Sequence, residues 1–269
     1  MVSSIGQGFQ LAVVQADWDA AGHSDPTAWL EVIGELGGVV FAALVLVLVT
    51  RAFLRRRLYR AESMLDSGDR ERVRAAIAEA EGNTVGEILP VVLERSDRHP
   101  AASWISAVLF VLLGSALLGA WLPFHRPYLL LPIQFLMGAI GYGIAELLPD
   151  FKRLFVRESR ATEMAQEQAF QEFYSNGLHR TEEATGVLLF VSLFERRVIV
   201  LGDEGINAKV EPELWEKSTE IVLERIAAGN LADGLVAGIG EIGGVLAEHF
   251  PWREGDRNEL SDRLVVRPE

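Results

Sequence analysis

Three stretches of the chain contain no charged residue: Leu36–Thr50, Ala101–Leu122 and Tyr128–Ala145. A helix of about 20 apolar residues crosses a bilayer, so each stretch predicts a transmembrane helix. Trp104 and Trp121 stand near the two ends of the second stretch, where amphipathic rings settle at headgroup level. The third carries Pro132, Gly138, Gly141 and Gly143, which lipid tolerates when a neighbouring helix packs closely against the bare backbone. The first is the shortest, and Arg51 beyond its end is long enough to snorkel back to the interface, giving a span over 36–53. No acidic or basic residue lies in mid-span, which argues against a proton relay, an ion channel or a coupled transporter.

Outside these stretches the pattern changes to that of an aqueous domain. Val73, Ile77 and Ala80 recur at helical spacing within Asp69–Glu81, and Gly82-Asn83-Thr84 ends that helix in a turn. Glu87–Arg95 is a dense β-type run. Its Pro90 cannot donate a ladder hydrogen bond, so the strand is expected at a sheet edge or at a bulge. Arg160–Ser175 predicts a helix that buries Met164, Ala165, Phe170 and Phe173. Gly186–Glu195 and Arg196–Gly202 predict a hairpin turning at Glu195-Arg196. Pro212–Ile226, with Leu214, Ile221 and Val222 on one side, and Leu231–His249 predict two more helices. Phe250-Pro251 stops the second, and a mostly irregular acidic tail follows.

The predicted architecture is an α/β membrane protein: three transmembrane helices plus a small α/β sandwich split by a transmembrane hairpin. Its parts are a tail at 1–35, the first span at 36–53, one piece of the soluble domain at 64–99, the hairpin at 101–148, the other piece at 150–252 and the acidic tail at 253–269. A helical crossover between Glu87–Arg95 and Gly186–Glu195 favours a parallel pair whose C-terminal ends share one end of the sheet, next to the hairpin.

Charge orients this arrangement. Residues 1–35 contain acids and no Lys or Arg, whereas Arg51, Arg55, Arg56, Arg57 and Arg60 follow the first span. The positive-inside rule puts the N-terminus outside and the main domain in the cytoplasm, at a plasma (inner) membrane. Those five arginines, with Arg196 and Arg197 at the hairpin end of the sheet, are the expected contacts with anionic headgroups. Over its 269 residues the chain has 38 acidic and 25 basic residues, a net charge of −13, and no cysteine. Excess acid excludes general nucleic-acid binding. The absence of cysteine removes thiol catalysis, iron–sulfur ligation and disulfides.

Few motifs carry chemistry. Gly238-Ile239-Gly240-Glu241-Ile242-Gly243 matches GxGxxG by letter, but it lies within a helical stripe and lacks the preceding strand that a phosphate cradle needs. Its glycines are expected to let that helix approach a neighbour. The five histidines show no ligand spacing. The strand order gathers Glu87, Asp203 and Glu204 at the sheet end away from the hairpin, where carboxylate oxygens suit calcium or magnesium.

The segments EGNTVGEILPVVLERSD, GVLLFVSLFERRVIVLGDEGI, LADGLVAGIGEIGGVLAEHFP and NELSDRLVV resemble the membrane-bound bacterial branch of the TPM domain family, over roughly residues 70–99 and 150–265. The resemblance implies a central sheet flanked by helices. Through other members of the family it also implies acid phosphatase activity and calcium binding. The chain departs from the family pattern in its split domain and in Gly202-Asp203-Glu204-Gly205, which replaces a turn richer in glycine and aromatics. The reading that follows is a binding or assembly module, with a membrane protein or a second copy of the chain as partner. The alternatives are a weak divalent-metal-dependent phosphatase and an accessory subunit of a larger membrane complex.

Overall fold

The computed structural model of the chain describes Val47, Thr50 and residues 60–121 and 130–267. The predicted tail at 1–35, most of the first span, and Arg51, Arg55, Arg56 and Arg57 lie outside the described residues. A short helix α1 (Ala61–Met64) leads into α2 (Ser67–Glu81). Asp66 starts α2 through a reciprocal capping box: its carboxylate accepts from the Asp69 N–H at 2.7 Å, and the Asp69 carboxylate accepts from the Asp66 N–H at 3.3 Å. Strand β1 (Glu87–Leu93) follows. Next come two long apolar helices, α3 (Pro100–Trp121) and α4 (Leu130–Leu147), and then a short α5 (Pro149–Arg153). The second half of the domain runs α6 (Glu158–Ser175), β2 (Gly186–Ser192), β3 (Arg197–Gly202), α7 (Glu204–Asn207), α8 (Glu216–Ala227), α9 (Leu231–His249) and β4 (Val265–Arg267).

The four strands form one sheet in the order β3-β2-β1-β4. β1 and β2 pair in parallel from Glu87↔Gly186 to Leu93↔Ser192, so chain from before the hairpin and chain from after it share a single β-layer. β3 is antiparallel to β2, and β4 is parallel to β1. Both central strands are buried along their whole length, as expected of strands covered on two faces. On one face Ile88, Val92, Val187 and Leu189 pack with α2, α8 and α9. On the other, Leu89, Val91, Leu188 and Phe190 pack with α6.

β1 is not an edge strand over its whole length, but at Pro90 its β4 side is open. Backbone N–H groups of β1 alternate sides: Glu87 donates to Thr185 of the β2 side at 3.2 Å, whereas Glu94 donates to Arg267 on the β4 side at 3.3 Å. Pro90 has the phase of Glu94, and β4 begins pairing only at Val91↔Val265. The missing donor therefore faces a stretch with no partner strand, and a central position costs the ladder nothing. The acidic tail is also less irregular than expected, since its end supplies β4.

Two predicted helices differ in detail. α6 buries the stripe Ala161, Ala165 and Ala169 with Phe173, while Phe170 faces outward; alanine at every fourth position lets the helix lie close on the sheet. Pro212–Trp215 is a 3-10 turn, and the α-helix proper starts at Glu216.

α3 and α4 are both long and apolar enough to cross a membrane. They pack tightly on each other: a Cβ at Gly141 would lie 2.8 Å from Phe110, and the Ser106 hydroxyl donates to the Gly141 carbonyl at 2.8 Å. Their remaining surface is bare, with Leu131 74% and Phe135 81% exposed.

Candidate functional site

At the sheet end away from the hairpin, Glu87 opens β1 and is buried. Its two oxygens accept the backbone N–H groups of Glu259 at 2.9 Å and Leu260 at 3.3 Å, which ties the C-terminal segment to the sheet. Burial, opposed by these two hydrogen bonds, leaves its carboxyl above the ordinary carboxylate range. Glu81, the last residue of α2, turns one oxygen to the Ile88 N–H at 2.8 Å. Burial first, and then the nearby charges of Glu87 and Asp262, push the Glu81 carboxyl up to about 8. Its second oxygen meets no N–H or O–H donor and faces Asp262. A proton on Glu81 makes that contact favourable. Glu81, Glu87, Asp256, Asn258 and Asp262 line a pocket of about 230 Å³ here.

Asp203 and Glu204 lie at the same end of the sheet, across β2 from Glu87. The Asp203 N–H donates to Gly186, the residue paired with Glu87. The three carboxylates nevertheless do not share one site. Asp203 caps α7 by accepting the Glu204 N–H at 2.9 Å, Glu204 is exposed, and Glu87 is occupied by the C-terminal segment. Among the described residues no group of three or more His, Asp or Glu side chains could hold a metal ion. These residues thus do not fit a shared calcium or magnesium site.

The opposite end, next to α3, holds a buried polar network. Glu195, in the β2–β3 turn, lies with one oxygen 2.8 Å from His99 Nε2, while the other accepts the Ser96 N–H at 3.0 Å and the Ser192 hydroxyl. His99 Nδ1 lies 3.4 Å from Asp97, and the Ser96 hydroxyl donates to Ser192 at 3.0 Å. Burial raises the Glu195 carboxyl, but hydrogen bonds from His99, Ser192 and Ser96 outweigh it and hold the group below the ordinary range. Ser, Glu, His and Asp in series suggest a nucleophile relay, but the geometry opposes one. Ser192 is buried, with its hydroxyl donating to one partner and accepting from another, and a carboxylate of lowered pKa is a poor base. The network braces the junction between the sheet and the hairpin. Just beyond it, Lys152 and the Ser103 hydroxyl both donate to Glu146, at 2.9 and 2.6 Å.

Residues 140–245 match the family model of the TPM domain. The chain carries a TPM domain. The matched region runs from within α4 to within α9 and includes β2 and β3. β1, supplied from before the hairpin, and β4, from the C-terminal segment, complete the sheet outside the matched region. Among solved structures, the NMR structure of BA42 protein from the psychrophilic bacterium Bizionia argentinensis is similar, with 20% identity and a TM-score of 0.49, over 77% of this chain and 99% of that one. No curated protein matches the sequence.

Of the predicted membrane-surface arginines among the described residues, Arg196 and Arg197 stand at the hairpin end of the TPM domain, in the turn and first residue of β3. Arg60 belongs to this end as well, beside Glu94 just past β1. Glu81, Asp256, Asn258 and Asp262 are the site residues that sequence reasoning missed. A signal existed for each: Glu81 sits in the last turn of a helix, where the macrodipole disfavours a carboxylate, and the Asp and Asn residues of the tail cluster within seven residues, 256–262.

Proposed function

We propose that the chain is an inner-membrane protein spanning the bilayer three times, with its N-terminus outside and its TPM domain in the cytoplasm. On this reading the domain works as a binding or assembly module rather than as a phosphatase. The α3–α4 hairpin carries the reading. It leaves and rejoins one end of a single sheet, and its outward surface is apolar. In water, apolar area costs roughly 25 cal/mol per Å²; in hydrocarbon the same helices satisfy their own backbone and expose what lipid favours. The contrast between the acid-only segment 1–35 and the arginines at 51–60 supports the orientation. The engaged hydroxyl of Ser192 and the backbone-bound carboxylate of Glu87 support binding over turnover.

Because the chain has no cysteine, single introduced cysteines report topology cleanly. Ser4→Cys should react with a membrane-impermeant maleimide on intact cells, and Ser175→Cys only after permeabilisation. The opposite pattern would invert the orientation, and reaction of both from outside would refute a cytoplasmic domain. Sustained hydrolysis of a phosphate ester that disappears in Asp203→Ala would replace the binding reading with the phosphatase one.

A further inference from the structure

The hairpin end of the TPM domain contains a cleft of about 660 Å³, within the range of about 300–1,000 Å³ typical of small-molecule sites. Its lining comes from the element ends nearest the hairpin: the last residues of β2, the first of β3, α5, and the final turn of α8. The floor is apolar and buried, made by Val191, Leu193 and Val198, with Ile226 and Leu223 beside it. Its polar side is Ser192, Arg196, Arg197 and Asp150, two cations against one carboxylate; the Arg196 side chain is 56% exposed and reaches Asp150 at 3.1 Å. Two exposed leucines, Leu147 at the end of α4 and Leu154 just after α5, flank Asp150 in sequence. An apolar floor with a cationic rim, beside helices suited to hydrocarbon, matches the two halves of one amphiphile.

Arg196 is placed at a cost. Its φ is +53°, in the left-handed region, where a residue with a Cβ is strained and glycine is not. The turn would be eased by Gly or Asn, yet it carries arginine. Strain of this kind marks positions where a side chain serves something other than the fold. Arg197 has a different task. Its guanidinium donates to the Thr162 hydroxyl at 2.9 Å and to the Arg196 carbonyl at 3.2 Å, and pairs with Glu158, so it braces the turn that presents Arg196.

We propose that this cleft holds one anionic glycerophospholipid from the leaflet that the hairpin enters, with the acidic headgroup on Arg196 and an acyl chain along the Val191–Leu193–Val198 floor. The proposal rests on the membrane reading above. It makes the TPM domain a reader of lipid charge as well as a domain tethered to lipid.

The test uses the full chain reconstituted into vesicles of phosphatidylcholine alone or mixed with phosphatidylglycerol. Co-flotation is followed by native mass spectrometry of the extracted protein. Wild type should float with both compositions and retain one phosphatidylglycerol in preference to phosphatidylcholine. Arg196→Asn should float equally and melt no lower than wild type, because asparagine accepts the left-handed turn, but its preference should fall about fivefold, as expected for one arginine near a charged surface. Ala227→Trp, which fills the cleft and leaves Arg196 in place, should lose the bound lipid. Arg253→Gln, paired with Glu183 at the far end of the domain, should behave as wild type. Equal retention of both lipids, or retention unchanged in Arg196→Asn, would overturn the lipid site while leaving the anchor standing. Failure to float with either vesicle would instead overturn the membrane reading. Displacement of the bound species by soluble glycerol 3-phosphate at equal concentration would show a free phosphate ester, not a lipid, to be the occupant.

Discussion

At the scale of single residues, a half-buried carboxylate, Glu81, and a buried one, Glu195, are set in opposite directions. Glu81 takes a proton near pH 8 in the folded chain against an ordinary value of 4.5. Between those values the native state holds a proton that the unfolded state has released, so the Glu81 contribution to stability falls as pH rises through that window. Burial raises Glu87 as well and adds in the same sense. Glu81→Gln keeps an acceptor for the Ile88 N–H, supplies an amide donor toward Asp262 and removes the titration. Thermal melts should show the variant within a degree or so of wild type near pH 5 and several degrees above it near pH 8. A difference independent of pH would mean that Glu81 is charged throughout.

Glu195 runs the other way. Its depressed value gives stability that is present above the ordinary carboxylate range and lost as pH falls through the native value. Glu195→Ala strands the His99 ring, the Ser192 hydroxyl and the Ser96 N–H together. Breaking a buried pair of this kind costs about 3–5 kcal/mol, measurable by urea denaturation. A loss below about 1 kcal/mol, the level of an exposed pair, would show that the network does not brace the hairpin junction.

At the scale of elements, α9 shows what a sequence motif does when it is not what its letters suggest. A Cβ on Gly238 would lie 2.3 Å from Val222 of α8, and one on Gly243 would lie 2.6 Å from Ala80 of α2, whereas Gly240 has nothing within 4 Å. Two of the three glycines thus let α9 touch helices on both of its sides. Gly238→Ala and Gly243→Ala should each lower stability by about 1–3 kcal/mol through overpacking. Gly240→Ala should leave it unchanged or raise it by up to about 1 kcal/mol, the helical penalty of glycine. Equal effects at all three positions would refute the packing explanation. The packing role of these glycines was legible because helical spacing is local. Pro90 does mark a stretch of β1 that is open on one side, but the rest of β1 is central because β4, which covers that side only from Val91 onward, comes from far along the chain. β4 itself spans only Val265–Arg267, too short to show a period. The Glu81–Asp262 pair is likewise hidden from any spacing rule, since only the folded sheet brings the end of α2 to the C-terminal segment.

At the scale of the whole molecule, the hairpin is an insertion rather than a structural part of the sheet. The ladder from Glu87↔Gly186 to Leu93↔Ser192 joins residues on either side of α3 and α4 without using either helix. The two helices come together at their base, where the Ser103 hydroxyl reaches Glu146 at 2.6 Å. The ends left by removing residues 104–145 are therefore already adjacent, and a few glycine and serine residues can bridge them at the small closure entropy of a short loop. His99, Glu195, Ser103, Glu146 and Lys152 all survive the excision, so the junction keeps its polar partners. Such a protein, started at Arg60 so that the first proposed span is left out as well, should be monomeric in detergent-free buffer and should unfold in one urea transition that coincides by fluorescence and circular dichroism. Wild type should require detergent throughout. Noncoincident transitions would mean that the sheet depends on α3 and α4 for its assembly, and a soluble wild type would remove the reason for the hairpin's apolar surface.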